Sequence, residues 1–198
     1  MNVTNKIVFL GDSSVGKTSI INSFFQDIFI QEQAPTIGAF VTTKSVNLDD
    51  GTEVTLNIWD TAGQERYRAL APMYFRDANI AILVYAINSK DSFEKLRGWI
   101  DNLENNTTIM PHLIIVGNKT DLVEERRVQF NEALEFAEAS KATFFECSAK
   151  LSECINELFH TAANIISQMS SENNVQSDQP FQNINDNENQ AKTKKGCC

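Results

Sequence analysis

Gly11-Asp12-Ser13-Ser14-Val15-Gly16-Lys17-Thr18 follows directly on the apolar run Ile7-Val8-Phe9-Leu10. The spacing is G-x-x-x-x-G-K-[ST], with a strand-like segment before it and a helix-like one after. Glycines let the main chain curl so that successive N–H groups point at anionic oxygens, Lys17 adds a charge, and the Thr18 hydroxyl can ligate Mg²⁺. The helix that follows aims its positive end at the same point. The stretch reads as a phosphate-binding loop, and it dictates the strand, turn and helix around it.

Working outward, residues 3 to 10 read as a buried strand, and Ser19 to Asp27 as a helix with Ile20, Ile21, Phe24 and Phe25 along its apolar stripe. Residues 39 to 48 and 53 to 60 flank Asp49-Asp50-Gly51-Thr52, whose Asp-Gly pair suits a tight hairpin, so these two strands are expected to be antiparallel. Val54, Leu56 and Ile58 share one face of the second strand, and Trp59 falls on the other beside Thr55 and Asn57. Trp59 thus either covers the edge of the core or offers a contact to a partner. Ile80 to Tyr85 is near-continuously apolar, as in a central parallel strand covered on both faces. Phe93, Leu96, Ile100 and Leu103 then fall at helical spacing. A strand at 113 to 116, a helix on Phe130, Ala133, Leu134 and Ala137, a short strand at 142 to 146 and a closing helix on Ile155, Leu158, Phe159, Ala162 and Ile166 complete the pattern. This alternation predicts an α/β fold: a six-stranded, mostly parallel sheet with one antiparallel strand, helices on both faces, and a ligand site at the carboxyl ends of the strands.

With 198 residues, 42% of them hydrophobic, the chain can form one full-sized domain, assigned to residues 1 to 169. From about Ser170 the composition turns to Asn, Gln, Ser, Asp and Glu, so residues 170 to 198 read as a disordered tail. A net charge of −9 argues against nucleic acid as a partner. No run of about 18 apolar residues occurs, and Met1 to Lys6 lacks the apolar region of a signal peptide; a cytosolic protein is expected. Of four cysteines, Cys147 and Cys154 lie in structured sequence and Cys197 and Cys198 in the tail, which is neither a metal nor a disulfide pattern. His112 and His160 are assigned no chemistry.

Three further signals fall at strand ends. The first is Trp59-Asp60-Thr61-Ala62-Gly63-Gln64-Glu65, in which Asp60 can hold Mg²⁺, the Gly63 N–H can approach a terminal phosphate, and Gln64 can orient an attacking water. The second is Asn118-Lys119-Thr120-Asp121. A carboxylate here can accept from both the ring N–H and the exocyclic amine of guanine, a pattern adenine lacks, so GTP is expected rather than ATP. The third is Cys147-Ser148-Ala149-Lys150, where a backbone N–H can donate to the guanine carbonyl oxygen.

Taken in this order, the motifs resemble those of the Ras superfamily of small GTPases and, within it, the Rab family. The resemblance covers residues 3 to about 168. It is carried by the phosphate loop, Thr36-Ile37-Gly38, the run Ile58 to Tyr67, Asn118 to Asp121, Ser148 to Lys150 and the terminal Cys197-Cys198, and Arg66 to Arg76 is most similar to the endosomal branch of Rabs. It implies a small G domain with Mg²⁺ held by Thr18, Thr36 and Asp60, and nucleotide contacts from Ser13, Ser14, Val15, Gly16, Lys17, Thr18, Ser19, Thr36, Gly63, Asn118, Lys119, Asp121, Ser148, Ala149 and Lys150. Phe29 would pack against the guanine. Gln64, Lys17 and Gly63 would carry the chemistry, with Thr36 and Gly63 sensing the γ-phosphate. A GTP/GDP switch in vesicular, endosomal traffic follows from the resemblance. It would work at the cytoplasmic face of an intracellular membrane and cycle through the cytosol. Effectors, an exchange factor, a GTPase-activating protein, a prenylation escort and a GDP-dissociation inhibitor are the implied partners, and the G domain is expected to be monomeric.

The chain departs from that pattern after the switch threonine. Rabs usually read I-G-x-x-F there, whereas here the fifth position is Val41 and the aromatic is Phe40. Strand parity puts Phe40 with Val46 and Leu48 toward the core, leaving Val41, Trp59 and Tyr74 as the effector surface. No arginine precedes Arg66, so the first switch has none to offer in cis and slow intrinsic hydrolysis is expected, assisted by a partner's arginine. Arg66 itself is either a solvated charge or an effector contact. The terminal Cys197 and Cys198 would be two idle thiols on bare physics, but by the resemblance they are geranylgeranylated. Two chains give stable anchoring where one does not, with Lys192, Lys194 and Lys195 drawn to anionic lipid. A nucleotide-dependent scaffold without hydrolysis, and an ATP-dependent kinase, are the rival readings; Gln64 speaks against the first and Asn118 to Asp121 against the second.

Overall fold

The computed structural model describes residues 4–26, 34–63 and 71–177, with side chains as far as residue 171. The expected roles of Phe29, Gln64, Arg66, the tail lysines, Cys197 and Cys198 lie outside the described residues.

Six strands form one sheet: β1 (Lys6–Leu10), β2 (Ala39–Asn47), β3 (Glu53–Thr61), β4 (Ile80–Ala86), β5 (His112–Asn118) and β6 (Thr143–Cys147), in the order β2-β3-β1-β4-β5-β6. Every neighbouring pair is parallel except β2 with β3. The Asp-Gly turn closes that hairpin, the Gly51 amide donating to the Leu48 carbonyl at 2.9 Å. β1 lies between β3 and β4, so the chain winds outward from it in both directions and opens a crevice at its carboxyl end.

Period-two alternation decides the two layers. Ile7, Phe9, Leu56, Ile58, Ile80, Ile82, Val84, Ile114 and Val116 point to the face covered by α1 (Lys17–Gln26) and α6 (Ile155–Ser177). Val8, Leu10, Ala81, Leu83, Tyr85, Leu113 and Ile115 point to the other, covered by α2 (Ala71–Phe75), α3 (Lys90–Glu94), α4 (Leu96–Asn106) and α5 (Phe130–Ala139). On the first face Phe24 of α1 stacks on Phe159 of α6 with centroids 3.8 Å apart, a pairing worth about 0.5–1.5 kcal/mol beyond its burial. This clamps α1, and with it the phosphate loop, to the sheet.

Three expectations are amended. The helix read through Phe93 and Leu103 is two pieces that meet at Lys95, with Ser89 capping the first by accepting the Ser92 amide at 3.3 Å. The closing helix does not stop near 169 but runs to Ser177: no proline or glycine interrupts it, and the Ser170 and Ser171 hydroxyls donate to the carbonyls of Ile166 and Ser167, at 2.9 and 3.1 Å. Residues 170–177 are therefore helical rather than disordered. Finally, Phe40 does share the face of Ile58 and Leu56, since it pairs with Asp60 in register, yet it is 67% exposed. β2 is the edge strand; farther along it the Lys44 ammonium donates to the Phe24 carbonyl of α1 and lies 4.0 Å from the Phe24 ring centroid.

Among the described residues no helix is long and apolar enough to cross a membrane.

Candidate functional site

The site grows from the turn after β1. Gly11 has φ +140°, and a Cβ there would lie 2.2 Å from the Val84 carbonyl oxygen, so only glycine lets the loop start this close to β4. Ser14 takes the left-handed conformation, φ 63°, without being glycine, a strain on the order of 1 kcal/mol. α1 then begins at Lys17, which is 5% exposed. Its ammonium donates to the carbonyls of Gly11 and Asp12, each at 2.8 Å. Burial pushes its pKa down to about 8, against the opposing pull of Asp60 and Asp12. An ammonium held this way is preorganised for an anion, whose charge favours the protonated form.

At the next residue, the Thr18 hydroxyl donates to Asp60 Oδ2 at 2.6 Å and lies 3.0 Å from the Thr36 hydroxyl. Asp60, next to last in β3, is 4% exposed and has its pKa raised by that burial. Its Oδ1 is buried with no hydrogen-bond partner. Among the described residues no group of three or more His, Cys, Asp or Glu gathers for a metal. The donor set here is instead two hydroxyls and a carboxylate with one oxygen to spare. Hard oxygen donors with room for further ligands fit Mg²⁺ bound also to phosphates and water.

Gly63 completes the anion end. A Cβ at this position would lie 2.3 Å from the Asp12 carbonyl oxygen and 2.5 Å from Lys17 Nζ, so its backbone sits against both.

The opposite end is built from the loops after β5 and β6. Asn118 is 2% exposed and braces three loops at once. Its Nδ2 donates to the Val15 carbonyl at 2.9 Å, and its Oδ1 accepts the Ala149 amide at 3.2 Å. Asp121 accepts from the Ser148 hydroxyl at 2.7 Å, with the Lys150 ammonium 3.8 Å away. Lys119 has φ 72° and a pKa lowered by burial.

Between these ends lies a cleft of about 450 Å³, lined by Ser13, Ser14, Gly16, Lys17, Thr18, Ser19, Thr36, Gly63, Asn118, Lys119, Asp121, Ala149 and Lys150. Val15 and Ser148 stand behind the wall, acting through Asn118 and Asp121 rather than touching the space. Ala34, Pro35, Thr61 and Leu122 also line it. They went unread because small and apolar residues beside a motif carry no chemical signature of their own, only adjacency to Thr36, Asp60 and Asp121.

The residues expected to meet effectors lie away from this cleft. Val41 pairs with Trp59 in register and is 44% exposed. Trp59 and Tyr74 both pack partly against the second core layer, and the Lys6 ammonium lies 4.1 Å from the Trp59 ring centroid. Trp59 thus covers the core edge while keeping some surface open. Ile37 and Met73 are exposed as well, and Phe40 is exposed on the opposite face of the sheet.

Known proteins are similar to this sequence. A family model described as the Ras family matches residues 6–168. GTP-binding protein ypt5 of Schizosaccharomyces pombe is 45% identical over 164 residues, covering 82% of this chain and 78% of its own. Ras-related protein Rab-5A of Dictyostelium discoideum is likewise 45% identical over 164 residues, covering 80% of this chain and 81% of its own.

Proposed function

The chain belongs to the Ras family, among its Rab GTPases, and from that premise we propose how its residues divide the work of a GTP/GDP switch and where it operates. It binds GTP and GDP, hydrolyses GTP, and serves membrane traffic as Rabs do. The observation that carries the residue assignment is the convergence of Thr18, Thr36 and Asp60 oxygens beside the buried Lys17 ammonium, at one end of a cleft whose other end is walled by Asn118, Asp121 and Ala149.

Thr18, Thr36 and Asp60 would hold Mg²⁺, which when bound neutralises charge on the β- and γ-phosphates. Lys17 meets the same phosphates, and the Gly63 amide donates to the terminal one. Asp121 accepts from the guanine, and Asn118 holds the two ends of the cleft in register. Gln64 orients the attacking water. Thr36 and Gly63 belong to different loops, so loss of the γ-phosphate releases both, and an effector reading Val41, Trp59 and Tyr74 is released in turn. Because no arginine precedes Arg66, the transition-state charge needs a partner's arginine, which is worth about 10³ to 10⁵ in rate.

The working location is the cytoplasmic face of endosomes, with residues 178–198 as a tether ending in lipidated Cys197 and Cys198. The 45% identity to ypt5 and Rab-5A supports this address. The test is displacement of mant-GDP by GTP but not ATP, followed by Gln64→Leu. That variant is expected to slow hydrolysis, raise the GTP-bound fraction and accumulate on endosomes. Hydrolysis at the wild-type rate would remove Gln64 from its role, and accumulation on another organelle would change the address.

A further inference from the structure

Resting on the nucleotide site just proposed, we infer that Lys95 is a positioning residue for the phosphate-binding loop. It holds Asp12, and through the Asp12 carbonyl the Lys17 ammonium, where a phosphate chain needs it. The two side chains are 83 positions apart in sequence, with Lys95 Nζ 2.7 Å from Asp12 Oδ2. The same ammonium lies 2.6 Å from Asp91 Oδ2. Asp12 is the more enclosed of the two carboxylates, its side chain 23% exposed against 73% for Asp91.

The mount for Lys95 is firm. The residue stands at the junction of α3 and α4, where its amide donates to the Asp91 carbonyl at 3.2 Å. α3 is fastened in turn to the end of β4, because the Ser92 hydroxyl oxygen accepts the Ala86 amide at 3.1 Å and its proton goes to the Ser89 carbonyl at 2.8 Å. Asp12 is therefore tied to the sheet through a second element, independently of the close approach of Gly11 to β4.

The tie matters because of what the Asp12 main chain touches. Its carbonyl oxygen accepts from Lys17 Nζ at 2.8 Å and forms the surface against which Gly63 packs. A shift of Asp12 therefore moves both groups that face the terminal phosphate. Charge acts in the same direction: a carboxylate in a loop that receives a polyanion repels it unless a cation stands beside it. Removing Lys95 both loosens the loop and exposes that repulsion. Ion pairs open to solvent change equilibria by about two- to five-fold, and that is the size of effect expected.

The experiment uses the full-length chain loaded with mant-GDP in Mg²⁺ buffer, with release followed after excess GDP is added. In low salt Lys95→Met, and Lys95→Gln as a second variant, should release about two- to five-fold faster than wild type. Lys95→Arg should restore the slow rate, and Asp91→Asn should stay near wild type because the Asp12 contact survives. The gap should close toward 1 M NaCl, where the screening length falls to about 3 Å; a merely structural role would not respond to salt in this way. Equal release from wild type and both neutral variants, or a gap indifferent to salt, overturns the inference. A wild-type chain that fails to hold mant-GDP would instead overturn the nucleotide reading beneath it.

Discussion

Asn118 Nδ2 donates to the Val15 carbonyl at 2.9 Å across 103 residues of sequence, joining the end of β5 to the glycine-containing loop after β1. Its Oδ1 holds the Ala149 amide as well, so one buried carboxamide sets the spacing of three loops. Asn118→Ala leaves a buried carbonyl and a buried amide unsatisfied, at about 1–3 kcal/mol each. Mant-GDP release is expected to accelerate at least ten-fold, and the melting temperature of the nucleotide-free protein to fall. Unchanged release would show that the base and phosphate loops keep their spacing without this brace.

Asp121 offers two acceptor oxygens, which match the two donors on the guanine edge. Asn at this position keeps one acceptor and adds a donor, a pattern that suits xanthine, whose C2 bears an oxygen in place of the amine. Asp121→Asn is expected to lose affinity for GDP and gain it for XDP, as read by competition of each against a fluorescent analogue. A variant that keeps its preference for GDP would mean that Asp121 does not face the base.

Ser14 carries the left-handed backbone of the phosphate loop at φ 63°, whereas Ser13 is not among the residues with positive φ. Glycine relieves the first and only loosens the second. The nucleotide-bound melting temperatures of Ser14→Gly and Ser13→Gly should therefore differ by roughly 1 kcal/mol in favour of Ser14→Gly, or about 2–4 °C for a chain of this size. The opposite order would show that the Ser14 side chain makes a contact with the bound nucleotide that outweighs its strain.

Phe40 separates what strand parity can tell from what it cannot. Parity assigns the correct face, but burial at that face depends on what packs over the edge strand, and no local pattern encodes that. The exposed Phe40→Ala is expected to change stability by about 0.5 kcal/mol or less, whereas Phe9→Ala, in the core, should cost about 3–5 kcal/mol. Comparable losses in chemical denaturation would mean that Phe40 is covered in solution.

The same division runs through the whole chain. The six strands, their order of alternation and the lone antiparallel pair were legible because period two, near-continuous apolar runs and one Asp-Gly turn are local signals. The candidate site residues stood out for a related reason: phosphate, Mg²⁺ and guanine each demand particular side chains, and the structure gathers Lys17, Thr18, Thr36, Asn118 and Asp121 around one cleft. Long-range roles were not. That Asn118 braces Val15 and Ala149, that Ser148 and Val15 stand behind the wall of the cleft, and that Lys95 meets Asp12 are facts of tertiary closure between residues with no shared pattern. The length of α6 was missed for the opposite reason, since polar composition resembles disorder even where unbroken helix-compatible residues carry the helix on.

His112 opens β5, half-buried, with Nε2 3.0 Å from the Thr143 hydroxyl. It shares a hollow with Arg97, Glu104 and Lys141. Burial holds its pKa below the ordinary histidine value of 6.5, so the folded state favours the neutral ring. Well above pH 6.5 the ring is neutral in both states and its contribution to stability is whole. As the pH falls through 6.5 the unfolded chain binds a proton that the folded chain resists, and stability declines until the folded pKa is passed. His112→Gln keeps a polar group near Thr143 and cannot titrate. Between pH 7 and pH 5 the wild-type melting temperature should fall further than that of His112→Gln, the carboxylates contributing equally to both. Parallel curves would mean that His112 is as well solvated when folded as when unfolded.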